Sequence, residues 1–381
     1  MGVSNTVYLS LGSNLGDKLA MLQEAIFGIE KKVGKIEAVS PVYKSAAWGF
    51  EGDDFFNICM TVTTELTPPI LLTTIMDIEF SMGRRRSNNS GYQPRSIDID
   101  ILYYNRLILT SQQLILPHPR LHERRFVLRP LADIAPQFYH PILKKDSRNL
   151  LQECRDEIVP EKTNLVLYKS RAILFSQLRF LAIEGNIGSG KTTLATRIAR
   201  DFNAKLILER FADNPFLPKF YEDQGRYAFP LEMSFLADRY QQFIDDTTQL
   251  ELFKKFMVSD YDIYKSLIFA KITLQEVEFS LYRKIFDFMY KEVKKPDVYV
   301  FLYQKTDRLL ENIKKRGRAY EKDIPFDYLE KINRGYLDYI KGHPEQNSLI
   351  IDITELDFVE NEKDYEKVMT QIQQFVMNWS F

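Results

Sequence analysis

The stretch "RFLAIEGNIGSGKTTLATRIARDF", Arg179 to Phe202, narrows the possible folds more than any other. An apolar run of strand length enters a glycine-rich loop, and the loop opens an amphipathic helix. Gly185, Asn186, Ile187, Gly188, Ser189, Gly190, Lys191 and Thr192, followed by Thr193, fit G-x-x-x-x-G-K-[ST] in the strand–loop–helix setting that this pattern requires. Glycines let backbone N–H groups curl round phosphates, and the helix N-terminus adds a favourable dipole. Lys191 can reach the β- and γ-phosphates, and the Thr192 hydroxyl can ligate magnesium. Long helical patterns follow, with short β runs "DVYVFLY" and "SLIIDIT" later. That is an α/β pattern with a parallel sheet, and it binds a nucleoside triphosphate while leaving the phosphoryl acceptor open.

The chain before it is patterned differently. "TVYLSLGS" reads as a strand and "DKLAMLQEAIFGIEKKV" as an amphipathic helix. "FFNICMTVTTEL" reads as a strand, "PPILLTTIMDIEFSMG" as a helix and "SIDIDILYY" as a strand. This layout is α+β, ferredoxin-like, with a small and mainly antiparallel sheet. At 381 residues the chain holds two domains comfortably. Weak patterning places the first at 1–158, a linker at 159–176 and the second at 177–381. A net charge of −1 argues against a general nucleic-acid binder. The two cysteines, Cys59 and Cys154, match no metal or disulfide spacing, which suits a reducing cytoplasm. No run approaches the roughly 18 apolar residues of a membrane helix, and no secretory leader is expected. "MGVSNT" fits an acylation pattern, but a strand follows at once, so we read the match as chance.

Within "RSIDIDILYY", Ile97, Ile99 and Ile101 alternate with Asp98 and Asp100. Two like charges then share one strand face, which is unfavourable by itself. Either that face is simply solvated or the pair shares a divalent cation, which takes one or two carboxylates plus substrate phosphates. The flanks favour the cation. "GRRRSNNSGYQPR" puts Arg84, Arg85, Arg86 and Arg95 in a polar flap suited to a polyphosphate. Phe55 and Asn57 share a strand face, one flat and apolar, the other able to donate and accept. His118, Arg124 and Phe126 follow in "LPHPRLHERRFVLRPLADIAP".

In that order, residues 5–158 resemble the 6-hydroxymethyl-7,8-dihydropterin pyrophosphokinase family, most specifically at "PRSIDIDIL" and "RRFVLRPLADIAP". The resemblance implies that Phe55 and Phe126 sandwich a pterin, while Asn57 and groups near Ser45 and Trp48 read its edge. It implies that Asp98 and Asp100 bind two magnesium ions with ATP. Arg84 and Arg95 would steady the transferred group, and Glu79, Arg86, His118 and Arg124 would hold the nucleotide. Met76 and Tyr92 stand where the family has glutamine and tryptophan. From Arg179 onward, "LILERFADNPFLPKFYEDQGRYAFPLEMSFLADRYQQ", "SDYDIYKSLIFAK" and "KKRGRAYE" resemble the deoxynucleoside kinase family. By that likeness Glu209 lies beside the acceptor 5′-hydroxyl, Tyr221 and Glu321 hold the sugar 3′-hydroxyl, and Glu232 replaces a base-reading glutamine. Arg316 and Arg318 would be lid arginines, with one magnesium travelling with ATP. The family's acidic-arginine-serine triplet is here Asp260, Tyr261 and Asp262, so a cation is missing, and Lys265 is a substitute one helical turn on.

The expectation is a bifunctional cytoplasmic transferase acting on small molecules, with a homodimer through the kinase half as a further implication of the resemblance. Its rivals are a second half that only senses nucleotides, and a P-loop kinase for another small molecule such as a monophosphate.

Overall fold

The computed structural model describes residues 4–48, 52–84, 95–210, 214–248, 253–318, 321 and 324–379, apart from the side chains of Tyr221 and Thr248. The chain divides into two compact units, Met1–Ile173 and Leu174–Phe381.

The first unit contains β1 (Asn5–Ser13), α1 (Lys18–Lys32), β2 (Lys35–Val39), β3 (Tyr43–Ser45), β4 (Phe55–Thr64) and α2 (Pro68–Ser81). It continues with β5 (Asp98–Tyr104), β6 (Leu109–Thr110), β7 (Ile115–Leu116), α3 (Arg125–Ile134), α4 (Ser147–Glu153) and β8 (Glu161–Lys162). Strands β5-β1-β4-β3-β8 form one antiparallel sheet, with β2 also on β4. Asp17 caps α1 by accepting from the Ala20 N–H at 3.0 Å, and two prolines start α2, where missing donors cost nothing. Leu9, Leu11, Ile58, Ile99, Leu22, Ile26, Ile75 and Ile78 are buried, so the two helices and the isoleucine face of β5 belong to the core.

Register positions the opposite face. Gly12 of β1 pairs with Asp98 on one side and Asn57 on the other, and Ser10 pairs with Asp100 and Cys59. Directly opposed residues point the same way, so Asp98 and Asn57 look out together from strands about 10 Å apart. Glycine at 12 keeps the space between them open, because a Cβ there would lie 3.1 Å from Asn57 Oδ1 and 3.5 Å from the Phe55 ring.

The expected linker at 159–176 is corrected over most of its length. β8 pairs with β3, Thr163 donates twice to the Val42 carbonyl at 2.9 and 3.0 Å, and the buried Gln23 amide exchanges hydrogen bonds of 2.7 and 2.8 Å with the Tyr168 backbone. Weak sequence patterning hid this, because a two-residue edge strand carries no periodicity. Residues 1–173 and 174–381 are therefore expected to fold separately. Cutting at 158 instead strips those bonds and should cost the first unit about 1–3 kcal/mol. Chemical denaturation of 1–158 against 1–173 checks this; equal midpoints and slopes would mean that the segment contributes nothing.

Counting the short helix α5 (Arg171–Phe175) as fifth, the second unit contains β9 (Phe180–Gly185), α6 (Lys191–Asp201), β10 (Lys205–Ile207), α7 (Leu217–Glu222), α8 (Gln224–Thr248), β11 (Met257–Ser259) and α9 (Lys265–Thr273). It ends with α10 (Glu276–Tyr290), β12 (Val298–Tyr303), α11 (Thr306–Arg316), α12 (Phe326–Gly342), β13 (Ser348–Asp352) and α13 (Glu362–Asn378). The sheet runs β10-β11-β9-β12-β13, every pair parallel. All six residues of β9 are buried, as a central parallel strand requires. Glu209, Asp260 and Gln304 follow the carboxyl ends of β10, β11 and β12, and the glycine loop follows β9. Ligands bind at that edge of open α/β sheets.

Candidate active sites

In the first unit, a cavity of about 300 Å³ opens between α2, β5 and the β6–β7 turn. Asp98, Asp100, Glu79, Arg84, His118 and Met76 all line it. Arg84 bonds Asp98 at 2.7 Å and also Glu79, whose other role is to accept the Ile99 N–H at 2.8 Å. Arg95 pairs with Asp98 at 2.5 Å, while Arg124 holds Asp100 at 3.3 Å. Burial first, and then the Asp98 charge, raise the proton affinity of Asp100 against the pull of Arg124, Arg84 and Arg95. Burial, with Arg124 close by, pushes His118 down to about 4, so it is neutral at physiological pH. Its 3.9 Å approach to Asp100 is thus not an ion pair.

Beside this cavity, Asn57 donates to Ser45 Oγ at 2.9 Å, and Phe55 lies over Gly12. Trp48 and Phe126 meet at 6.5 Å, with Arg120 4.6 Å and Arg124 5.5 Å from the Trp48 ring. The structure therefore gathers Phe55, Asn57 and Ser45 on β3 and β4, and Trp48, Phe126 and Arg124 around α3. Arg85, Arg86 and Tyr92 lie outside the described residues. Sequence reasoning missed Gln112 and Gln113, which line the cavity from the β6–β7 turn. It also missed buried Asn14, which accepts the Arg95 N–H at 2.7 Å. The turn-forming "GSNLGD" was the available signal for Asn14; nothing marked the glutamines.

In the second unit, Gly188 to Thr193 line a cavity of about 440 Å³ together with Arg316 and Arg318. Gly190 has φ +83°, and a Cβ there would meet the Phe358 ring at 2.7 Å, so only glycine fits this turn. Asn186 is turned away: its amide donates to the Leu329 carbonyl at 2.7 Å and Asn333 Oδ1 at 2.9 Å, which fixes the loop from behind. Lys191 donates to its own loop at the Asn186 carbonyl, 3.1 Å away. Thr192 donates to Asp260 Oδ2 at 2.5 Å, and Asp260 Oδ1 accepts the Glu209 N–H at 2.8 Å. Gln304, Asn312 and Phe358 also line the cavity and had no sequence signal.

Glu209 is buried between two cations, with Arg239 Nε 2.8 Å from one oxygen and Lys265 Nζ 2.5 Å from the other. Burial works to raise its pKa, but Lys265 and Arg239 together hold it well below the carboxylate range. Glu232 is buried too. Burial pushes it up to about 7, only partly offset by Arg239, and its Oε2 has no partner among the described residues. Its Oε1 lies 2.9 Å from Thr273 Oγ1, which is 3.0 Å from the Phe269 carbonyl. One hydroxyl hydrogen serves one of these acceptors at a time, so this contact accommodates either protonation state of Glu232. Glu321 is paired with Arg316 and Arg318, the second at 3.4 Å. The Tyr221 side chain lies outside the described residues.

A phosphate-binding loop closed by arginines, and a separate carboxylate pair in a basic cavity, define two phosphotransferase units on one chain. Residues 8–136 match the model of the 7,8-dihydro-6-hydroxymethylpterin-pyrophosphokinase family, and residues 181–377 that of the deoxynucleoside kinase family. The chain belongs to both: it carries a pterin pyrophosphokinase unit followed by a deoxynucleoside kinase unit, each ATP-dependent. It is 38% identical over 203 residues to a deoxyguanosine kinase of Bacillus subtilis, covering 52% of this chain and 98% of that one. It is 41% identical over 149 residues to a 2-amino-4-hydroxy-6-hydroxymethyldihydropteridine pyrophosphokinase of Aquifex aeolicus, covering 39% and 91%. A folic acid synthesis protein of Dictyostelium discoideum is 46% identical over 141 residues, 37% of this chain and 21% of that protein. Among the described residues, no helix is long and apolar enough to cross a membrane.

Proposed function

We propose that the first unit transfers pyrophosphate from ATP to 6-hydroxymethyl-7,8-dihydropterin, and that the second phosphorylates the 5′-hydroxyl of deoxyguanosine in preference to other deoxynucleosides. In the first, Phe55 and Phe126 hold the flat ring and Asn57, with Ser45 and groups near Trp48, reads its edge. The hydroxymethyl oxygen attacks the β-phosphorus and AMP leaves. Arg84 and Arg95 offset charge on the transferred group, and Glu79, His118 and Arg124 hold the nucleotide. Asp98 and Asp100 would hold magnesium; among the described residues no group of three or more His, Cys, Asp or Glu side chains could hold the ion by itself, so substrate phosphates would complete the shell. Magnesium, when bound, screens the triphosphate and makes its phosphorus more electrophilic.

For the second unit the observation that carries the reading is Glu232. It is a buried carboxylate with one oxygen that has no partner among the described residues, at the position where a base-reading amide is expected. As a carboxylate it accepts two hydrogen bonds, matching guanine N1–H and the 2-amino group; the Bacillus relative is named for deoxyguanosine. Glu209 orients the acceptor hydroxyl, Tyr221 and Glu321 the sugar, Arg316 and Arg318 the moving phosphoryl, with Thr192 on magnesium. Steady-state rates across deoxynucleosides and monophosphates test it. ATP turnover independent of any nucleoside, or a preference for a monophosphate, would sink the reading.

The compartment is the cytoplasm, on the chemistry of these substrates and two cysteines that form no disulfide; cell fractionation checks it. Val277, Leu281 and Phe288 form an exposed apolar stripe on α10, which supports a homodimer through the kinase unit. Sedimentation should give twice the chain mass, falling to the monomer in Val277→Glu/Phe288→Glu. A wild-type monomer at micromolar concentration would remove this part.

A further inference from the structure

The deoxynucleoside kinase reading leaves one cation unaccounted for at Tyr261. That ring is buried, packs edge-on against Phe243 with centroids 6.3 Å apart, and points a hydroxyl without a partner among the described residues into the core. It cannot serve the phosphates. Lys265 opens α9 one helical turn further on, with a side chain only 8% exposed and its ammonium 2.5 Å from Glu209 Oε2. Burying a lysine is costly, and Glu209 already has Arg239 on its other oxygen. Lys265 thus sits on the acceptor carboxylate, and that residue's backbone N–H is held by Asp260, which also accepts from phosphate-loop Thr192.

We propose that Lys265 is a catalytic residue of the kinase unit, supplying the cation that Tyr261 does not: in the free enzyme it restrains Glu209, and in the reaction it turns to the oxygens of the phosphoryl group in transfer. The proposal rests on the kinase reading given above. The 5′-oxygen forms its bond to the γ-phosphorus while the bond from that phosphorus to the bridging oxygen breaks, its electron pair leaving on ADP. The hydroxyl proton passes to Glu209. As the ammonium turns away, Glu209 loses one of its two cations and its affinity for that proton rises at the step that needs it. The same movement brings positive charge to where negative charge is spread.

The test uses the full chain with ATP and deoxyguanosine. Lys265→Met should lower kcat about 30-fold or more while KM for either substrate moves less than about threefold, and Lys265→Arg should recover most of the loss. A lysine kept only for packing would instead raise KM or lower thermal stability, and arginine, being larger, would do no better than methionine. If the Met variant does not fold, as judged by its thermal transition, Lys265→Gln is read in the same way. A kcat within threefold of wild type in either neutral variant, or an Arg variant no better than the neutral one, overturns the role of Lys265 alone. A wild-type enzyme that phosphorylates no nucleoside overturns the kinase reading, and this proposal with it.

Discussion

Asp98→Asn lowers pterin pyrophosphorylation by about 10²-fold or more and leaves nucleoside phosphorylation within about twofold of wild type. That is the expected result if the carboxylate pair serves one unit. Asp98 and Asp100 leave β5 on one face, two residues apart, with Arg84 and Arg95 on the first and Arg124 on the second. Asparagine keeps the shape but removes one of two charges, so cation affinity falls and the three arginines are left overcharging the site. A purely solvated pair would behave differently, since removing one member relieves repulsion and the rate would not fall. AMP release from ATP with dihydropterin, followed at limiting magnesium, decides between them. Near-wild-type rates there would end the metal reading, and an equal loss in both activities would point to misfolding.

The second large effect is one of selectivity. Burial pushes the Glu232 carboxyl up to about 7, and its surroundings are Arg239 on α8, Thr273 and Lys265 on α9 and Tyr282 on α10. Above that pH it offers two acceptors, which suit guanine. Below it the carboxylic acid offers one donor and one acceptor, which suit adenine N1 and its 6-amino group. A mispaired buried polar group costs roughly 1–3 kcal/mol, about 5- to 150-fold in kcat/KM. The ratio of deoxyguanosine to deoxyadenosine kcat/KM should therefore climb between pH 6 and pH 8. In Glu232→Gln, whose amide does not titrate, the ratio should be lower and flat. A ratio independent of pH in the wild type, or unchanged by Glu232→Gln, would show that Glu232 does not read the base.

Much of this protein was legible before any coordinates. The phosphate loop was readable because its spacing is set by backbone geometry that only glycine permits, while the structure adds that Asn186 faces inward and that Thr192 bonds Asp260. The aspartate pair was readable because a strand has period two, so alternation in sequence is alternation of faces. The terminus of the first unit was not readable. Glu161–Lys162 is held by pairing with β3, and Tyr168 by its exchange with Gln23, 145 residues away, and no local pattern encodes such partners. Nor were Gln112 and Gln113, which sit in a turn whose composition is that of any turn.

By itself, then, the sequence determined two units and their fold classes, because helix and strand periodicity and glycine-dependent turns are local properties of a chain. Tertiary structure alone decided which charges meet. Arg239 and Lys265 lie 30 and 56 residues from Glu209, the carboxylate they share, on separate elements, and their contact depends on the packing of α8 and α9 against the sheet edge. The same packing buries Tyr261 and brings Lys265 to the site, and it removes water from Glu232. Charges buried together set one another's protonation, and that coupling exists only in the folded chain.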